Sequence, residues 1–192
     1  MKICFFGGSF DPIHLGHSNI IDQLLLKFDR VIVMPAKQSP SKNLLPKASS
    51  YQRMDMLQMS SFAKNNNCII SDYELTADTN KNYTINSIRH ISEEFKSSNI
   101  YMAIGLDQLN DLNNWYKSDA LLGMVNIICF NRSSSMSLKT NNTPIQHEFV
   151  ENFNYDISSS KIRKFISNNN KSVLDMIDKN VFEYIKAKKL YK

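Results

Sequence analysis

Glycine is scarce in this chain. Five occur in 192 residues, where an average usage near 7% would give about 13. Glycine is the default wherever backbone bends sharply or comes close to a ligand, so a chain this short of it concentrates such duty at few positions. Three of the five, Gly7, Gly8 and Gly16, lie close together near the N-terminus and point to one tight site. Cysteine is scarce too: Cys4, Cys68 and Cys129 form no C-x-x-C pair, and each sits in an apolar, strand-like run. That pattern reads as buried, reduced thiols in a reducing compartment and excludes a disulfide framework. No run approaches the roughly 18 apolar residues of a membrane span. The apolar start, Ile3 to Phe6, is too short for a signal peptide, so a cytoplasmic protein with no membrane partner is expected. A strong charge of one sign is also missing. The formal net charge is +5, and part of it collects at Lys186, Lys188, Lys189 and Lys192, where a solvated helix end accounts for it. Basic residues are not interleaved with aromatics in the manner of a nucleic-acid binder, so no nucleic acid is expected as a partner. A small anionic substrate fits the modest excess.

What is present is enough apolar residue, 42%, for one core, and the length suits a single domain over 1–192. Short apolar runs at 2–6, 31–34, 68–71, 100–104 and 125–130 read as strands, and 147–155 is compatible with a further short one. Between them, apolar spacing predicts helices over 17–28, 49–63, 83–95, 159–167 and 173–190. The segments 36–48 and 133–147 are polar and read as loops. Strands alternating with helices indicate an α/β fold, a doubly wound parallel sheet with C-terminal helices. Ligands of such sheets bind beyond the carboxyl ends of the strands, at the switch point.

Residues 6–17 read Phe-Gly-Gly-Ser-Phe-Asp-Pro-Ile-His-Leu-Gly-His. A buried strand ends at Phe6, Gly7 and Gly8 are expected to let the chain turn, and Asp11-Pro12 makes a turn. The helix that follows offers free N–H groups and a positive dipole end to a phosphate. His14 and His17, three apart, can face the same anion at that first turn. The same spacing also suits half a zinc site, but no further ligands stand nearby. A second motif, Ile157-Ser158-Ser159-Ser160-Lys161-Ile162-Arg163, begins another helix. Ser158 or Ser159 is a good N-cap, and the planar fork of Arg163, one turn in, suits phosphate oxygens.

These two motifs together resemble those of the nucleotidyltransferase superfamily with a His-x-Gly-His signature. His14-Leu15-Gly16-His17 fits that signature without departure, and the second segment resembles the Ile-Ser-Ser-Thr/Ser-x-Ile/Val-Arg element that holds the outer phosphates of ATP. Class I aminoacyl-tRNA synthetases carry a similar first motif but are much longer. Within the superfamily, Gly105-Leu106-Asp107 followed by Trp115-Tyr116 resembles the Gly-x-Asp-x7-Trp pattern of the nicotinate mononucleotide adenylyltransferase branch. Tyr83-Thr84 resembles its Ser-Tyr-Thr element, with Asn82 in place of the Ser, and the ending from Val181 to Tyr191 resembles its last helix. Two loops depart from the branch: Pro40-Ser41-Lys42 lacks the usual His between Pro and Lys, and Asn131-Arg132-Ser133 keeps only the Arg.

The resemblance implies a Rossmann-like nucleotidyltransferase that joins ATP and nicotinate mononucleotide, giving deamido-NAD and pyrophosphate, with Mg²⁺ travelling on ATP. It implies that His14, His17 and Arg163 act on the reacting phosphates. Gly7, Gly8, Ser9, Phe10, Lys42, Gly105, Asp107, Ile157, Ser158 and Ser159 would bind ATP. Thr84, Trp115 and Tyr116 would bind the nicotinate, with Trp115 stacked on its ring. Phosphopantetheine adenylyltransferase is the alternative branch, and nicotinamide mononucleotide a competing acceptor. A homo-oligomer stays open.

Overall fold

The computed structural model describes residues 1–38, 45–78, 82–130, 147–150 and 157–192. In chain order the elements are β1 (Lys2–Gly8), α1 (Leu15–Lys27), β2 (Arg30–Pro35), α2 (Ser50–Gln58), β3 (Cys68–Ile70), α3 (Tyr73–Thr76), α4 (Thr84–Glu94), β4 (Asn99–Gly105), α5 (Leu106–Asp111), α6 (Ser118–Leu122), β5 (Asn126–Phe130), β6 (His147–Val150), α7 (Ser159–Ser167) and α8 (Lys179–Ala187). The strands form one parallel sheet in the order β3-β2-β1-β4-β5-β6. Chain order reverses direction between β1 and β4, which pair through Ile3 with Ile100 and Phe5 with Met102. This is the switch point of a doubly wound sheet.

The strands read as continuous apolar runs because the sheet is covered on both faces. Alternation within each run sorts its side chains between two cores. Cys4, Phe6, Val31, Val33, Ile128 and Phe130 pack with α1, α2, α7 and α8 on one face. Ile3, Phe5, Ile32, Met34, Ile127 and Cys129 pack with α4, α5 and α6 on the other. α4 shows the pattern plainly: Ile85, Ile88 and Ile91 recur on one face and are at most 1% exposed. α2 begins at a capping box, in which Ser49 and Gln52 satisfy each other's backbone N–H groups.

Two predicted helices are shorter than expected. The 49–63 helix stops at Gln58, Ser60 turns its hydroxyl back onto the Met56 carbonyl, and a 3₁₀ turn follows over Ser61–Lys64. The 173–190 helix divides into a 3₁₀ turn, Lys171–Asp175, and α8, because Asp178 caps α8 by accepting the Asn180 N–H at 2.8 Å. The expected strand at 147–155 is present as β6 over its described part. Cys4 and Cys129 are buried and Cys68 half-buried, all as free thiols. Burial pushes the Cys68 thiol up to about 11 and the Cys129 thiol to about 12. Among the described residues no helix is long and apolar enough to cross a membrane.

Candidate active site

A cleft of about 750 Å³ opens at the carboxyl ends of β1 and β4, a size that suits a small-molecule site. Gly7, Gly8, Ser9 and His17 line one side, and the start of α4 (Tyr83, Thr84), Asp107, Trp115 and Tyr116 line the other.

The two glycines do not turn the chain, contrary to expectation. β1 runs through both, and neither has a positive φ. The turn is made by Phe10, at φ 45°, and by Asp11-Pro12, joined by a cis peptide bond. Phe10 tolerates this conformation because it is locked in place at 1% exposure. The glycines are needed for closeness. A Cβ on Gly7 would lie 2.7 Å from Cζ of Phe5, and one on Gly8 3.0 Å from the Phe10 ring. The two glycines therefore make room for the Phe5 and Phe10 rings, which lie against them beside the cleft.

α1 points its N-terminus at this turn, with no acidic side chain in its first turn to oppose the dipole. His14 is its N-cap, and its Nδ1 accepts the His17 N–H at 3.3 Å. An accepting Nδ1 places the ring proton on Nε2. The two imidazoles stack at 3.6 Å between centroids, and the edge of Phe10 abuts His17 at 5.1 Å. Of the pair, His17 lines the cleft, whereas His14 lies beside it at 3% exposure and orients its ring.

The second motif docks onto the first. Ser158 caps α7 by accepting the Lys161 N–H at 3.2 Å. Ser159 Oγ donates to the Pro12 carbonyl at 2.9 Å. Arg163 donates from Nη1 to the Asp11 carbonyl at 2.6 Å and from Nη2 to Ser160 Oγ at 3.1 Å. Two helix N-termini thus meet at one turn, and both are suited to anions. Ser159 and Arg163 thus pack against that turn, with Ile157 and Ser158 just before them in the chain.

The cytidylyltransferase-like family model matches residues 5–165 of this chain. The probable nicotinate-nucleotide adenylyltransferase of Aliarcobacter butzleri is 32% identical over 98% of this chain and 100% of its own length. That of Caldicellulosiruptor bescii is 32% identical over the whole of both chains. The chain belongs to the nicotinate-nucleotide adenylyltransferase family. Its fold is shared with the Plasmodium falciparum nicotinic acid mononucleotide adenylyltransferase solved in complex with NaAD, at a TM-score of 0.78 and 22% identity, covering 99% of this chain and 97% of that one.

In this adenylyltransferase-family chain the remaining site candidates fall as follows. Gly105 ends β4, and its N–H donates to Gln108 Oε1 at 3.2 Å, which starts α5 and sets Asp107 in its first turn on the cleft wall. Trp115 closes a 3₁₀ turn over Leu112–Asn114 and is half-buried against the Ile85 core, with part of its surface on the cleft. The Tyr116 ring, 50% exposed, lies 4.4 Å from that of Tyr83 and 5.2 Å from Lys117 Nζ. Thr84 opens α4, whose N-cap, Tyr83, makes no side-chain cap. Lys42 and Arg132 lie outside the described residues.

Four residues outside the sequence-derived site candidates frame the site. Arg53 is 1% exposed and donates from Nη1 to the Ser9 and Ala36 carbonyls at 2.8 and 2.6 Å, joining the ends of β1 and β2. Its signal was a single cation next to the core positions Met56 and Leu57. Glu74, at 5% exposure, lines the cleft. Burial pushes its carboxyl above the usual range, opposed by the Ser87 hydroxyl, which donates at 2.6 Å, and by the charge of Arg53. Asp11 and Tyr191 are hydrogen-bonded to each other from opposite ends of the chain.

Proposed function

We propose that this chain transfers the adenylyl group of ATP to nicotinate mononucleotide, releasing pyrophosphate and forming deamido-NAD, a step in NAD biosynthesis. The observation that supports it most is one cleft at the switch point with a phosphate-attracting helix N-terminus and His17 on one side and an aromatic wall on the other.

A 5′-phosphate oxygen of nicotinate mononucleotide attacks the α-phosphorus of ATP in line. The new P–O bond forms as the bond to the β-phosphate oxygen breaks, and pyrophosphate leaves. The attacking oxygen is already ionised near neutral pH, so the protein supplies position and charge stabilisation and no general base. His17, edge-on to Phe10 and stacked on His14, donates to the α-phosphoryl oxygens. The backbone of Gly7, Gly8 and Ser9 approaches the phosphates. Ser158, Ser159 and Arg163 hold the outgoing pyrophosphate, and Lys42 adds positive charge for the phosphates. Gly105 and Asp107 border the adenosine. Mg²⁺ enters with ATP as part of the substrate. Phosphate and water oxygens suit that ion.

Trp115 stacks on the pyridine ring, and the backbone N–H groups at Thr84 and Tyr116 receive its carboxylate. Trp115→Ala should therefore raise the KM for nicotinate mononucleotide about tenfold while leaving the KM for ATP within about twofold. Steady-state kinetics with each substrate varied in turn tests this. A parallel rise in both constants would remove Trp115 from the acceptor pocket.

A further inference from the structure

Asp11 is 4% exposed, and its two carboxylate oxygens are fully engaged. Oδ2 accepts the Lys47 N–H at 2.8 Å and lies 3.7 Å from Nη1 of Arg163. Oδ1 accepts the Ala48 N–H at 3.0 Å and the Tyr191 hydroxyl at 2.8 Å. One carboxylate thus gathers the turn before α1, the approach to α2, the second turn of α7 and the far end of the chain. Arg163 also grips the backbone carbonyl of the same aspartate, so a shift of Asp11 shifts Arg163 with it.

The far end is held deliberately. Tyr191 sits at φ 64°, a conformation that a bulky side chain adopts only where its surroundings impose it. One helical stretch earlier, the Tyr184 hydroxyl donates to Asp55 Oδ2 at 2.6 Å, tying α8 to α2. Burial and the facing Asp11 carboxylate push the Tyr191 phenol well above its usual value, so it remains a donor at every working pH.

We propose that Tyr191 is a positioning residue for adenylyl transfer: its hydroxyl fixes the Asp11 carboxylate, and Asp11 keeps Arg163 aimed at the outgoing pyrophosphate. This rests on the activity and on the role of Arg163 proposed above. Tyr191 itself touches no substrate; it acts through Arg163. A tail that merely fastens the fold would affect stability. A tail that positions Arg163 affects turnover, and only while Arg163 is present.

The experiment is a double-mutant cycle of Tyr191→Phe and Arg163→Ala, with kcat and both KM values measured for ATP plus nicotinate mononucleotide, and Tm for all four proteins. Tyr191→Phe deletes one hydroxyl and keeps the ring packing. It should lower kcat about tenfold and raise the KM for ATP, leave the KM for nicotinate mononucleotide unchanged, and cost less than about twofold when Arg163 is already alanine. Calorimetric binding of a non-hydrolysable ATP analogue to the same four proteins should follow the same pattern, which covers the case of an Arg163→Ala enzyme too slow to assay. An equal loss in both backgrounds, or a lowered Tm with kcat intact, would overturn the positioning role. A wild-type protein that fails to join ATP to nicotinate mononucleotide would overturn the proposed activity; a working wild type with an unaffected Tyr191→Phe variant would overturn this inference alone.

Discussion

His17→Ala lowers kcat by on the order of 10²-fold or more with the fold intact, the range found when a preorganised donor to a developing charge is removed. The size follows from where the imidazole stands. It is 9% exposed and lines the cleft, and its ring is fixed by the stacked His14 at 3.6 Å and by the edge of Phe10 at 5.1 Å. A donor held this way needs no reorganisation as charge shifts towards the leaving pyrophosphate. A hundredfold loss corresponds to about 2.7 kcal/mol of transition-state stabilisation. The backbone of α1 keeps its His14 cap, because the cap is made to the residue 17 N–H and not to its side chain. Circular dichroism and the thermal midpoint should therefore change little while turnover collapses. A near-normal kcat would place His17 outside the reacting centre.

The largest effect on stability belongs to Arg53→Met. The guanidinium is buried between the loops that leave β1 and β2, and its Nη1 satisfies the Ser9 and Ala36 carbonyls. A methionine fills much of the space but donates nothing, so two half-buried acceptors lose their partner at about 1 kcal/mol each. Glu74, itself 5% exposed, also loses the positive charge that offsets its burial. Together these give an expected loss of about 3–5 kcal/mol in unfolding free energy, a large share of the total of an ordinary domain. The deficit depends on pH. The carboxyl of Glu74 is raised by burial in the folded state, so its neutral form carries no penalty below the ordinary carboxylate range, and stability is lost as pH rises through the folded value. Without Arg53 that value rises further. Urea unfolding at pH 5 and pH 8 should show a larger gap between Arg53→Met and wild type at pH 8. An equal gap at both would separate Arg53 from Glu74.

Much of this was legible before the structure. The strands were readable because a sheet covered on both faces makes each one a continuous apolar run, and α4 was readable because Ile85, Ile88 and Ile91 repeat at helical spacing over about two turns. α3 and α5 were not, since elements of four and six residues are too short to show a period. The two phosphate motifs were visible because their residues are consecutive, so local turn and cap chemistry suffices to place them. The spacing of the histidine pair shows that the two rings meet, as they do at 3.6 Å, but not that His14 is itself the cap of α1. The turn expected at Asp11-Pro12 is there, but Phe10 at positive φ shares it in place of the glycines, because Gly7 and Gly8 continue β1 under the Phe5 and Phe10 rings. The Asp11–Tyr191 bond and the grip of Arg53 on Ser9 and Ala36 join residues far apart in the chain. No local periodicity marks such pairs, and only the folded sheet brings them together.

The central claim is most directly tested by pyrophosphate release from ATP and Mg²⁺ with three acceptors in parallel: nicotinate mononucleotide, nicotinamide mononucleotide and phosphopantetheine. The account predicts the highest kcat/KM with nicotinate mononucleotide and, in that reaction, one deamido-NAD for each pyrophosphate. Turnover with phosphopantetheine alone, or a preference for the amide over the acid, would contradict it.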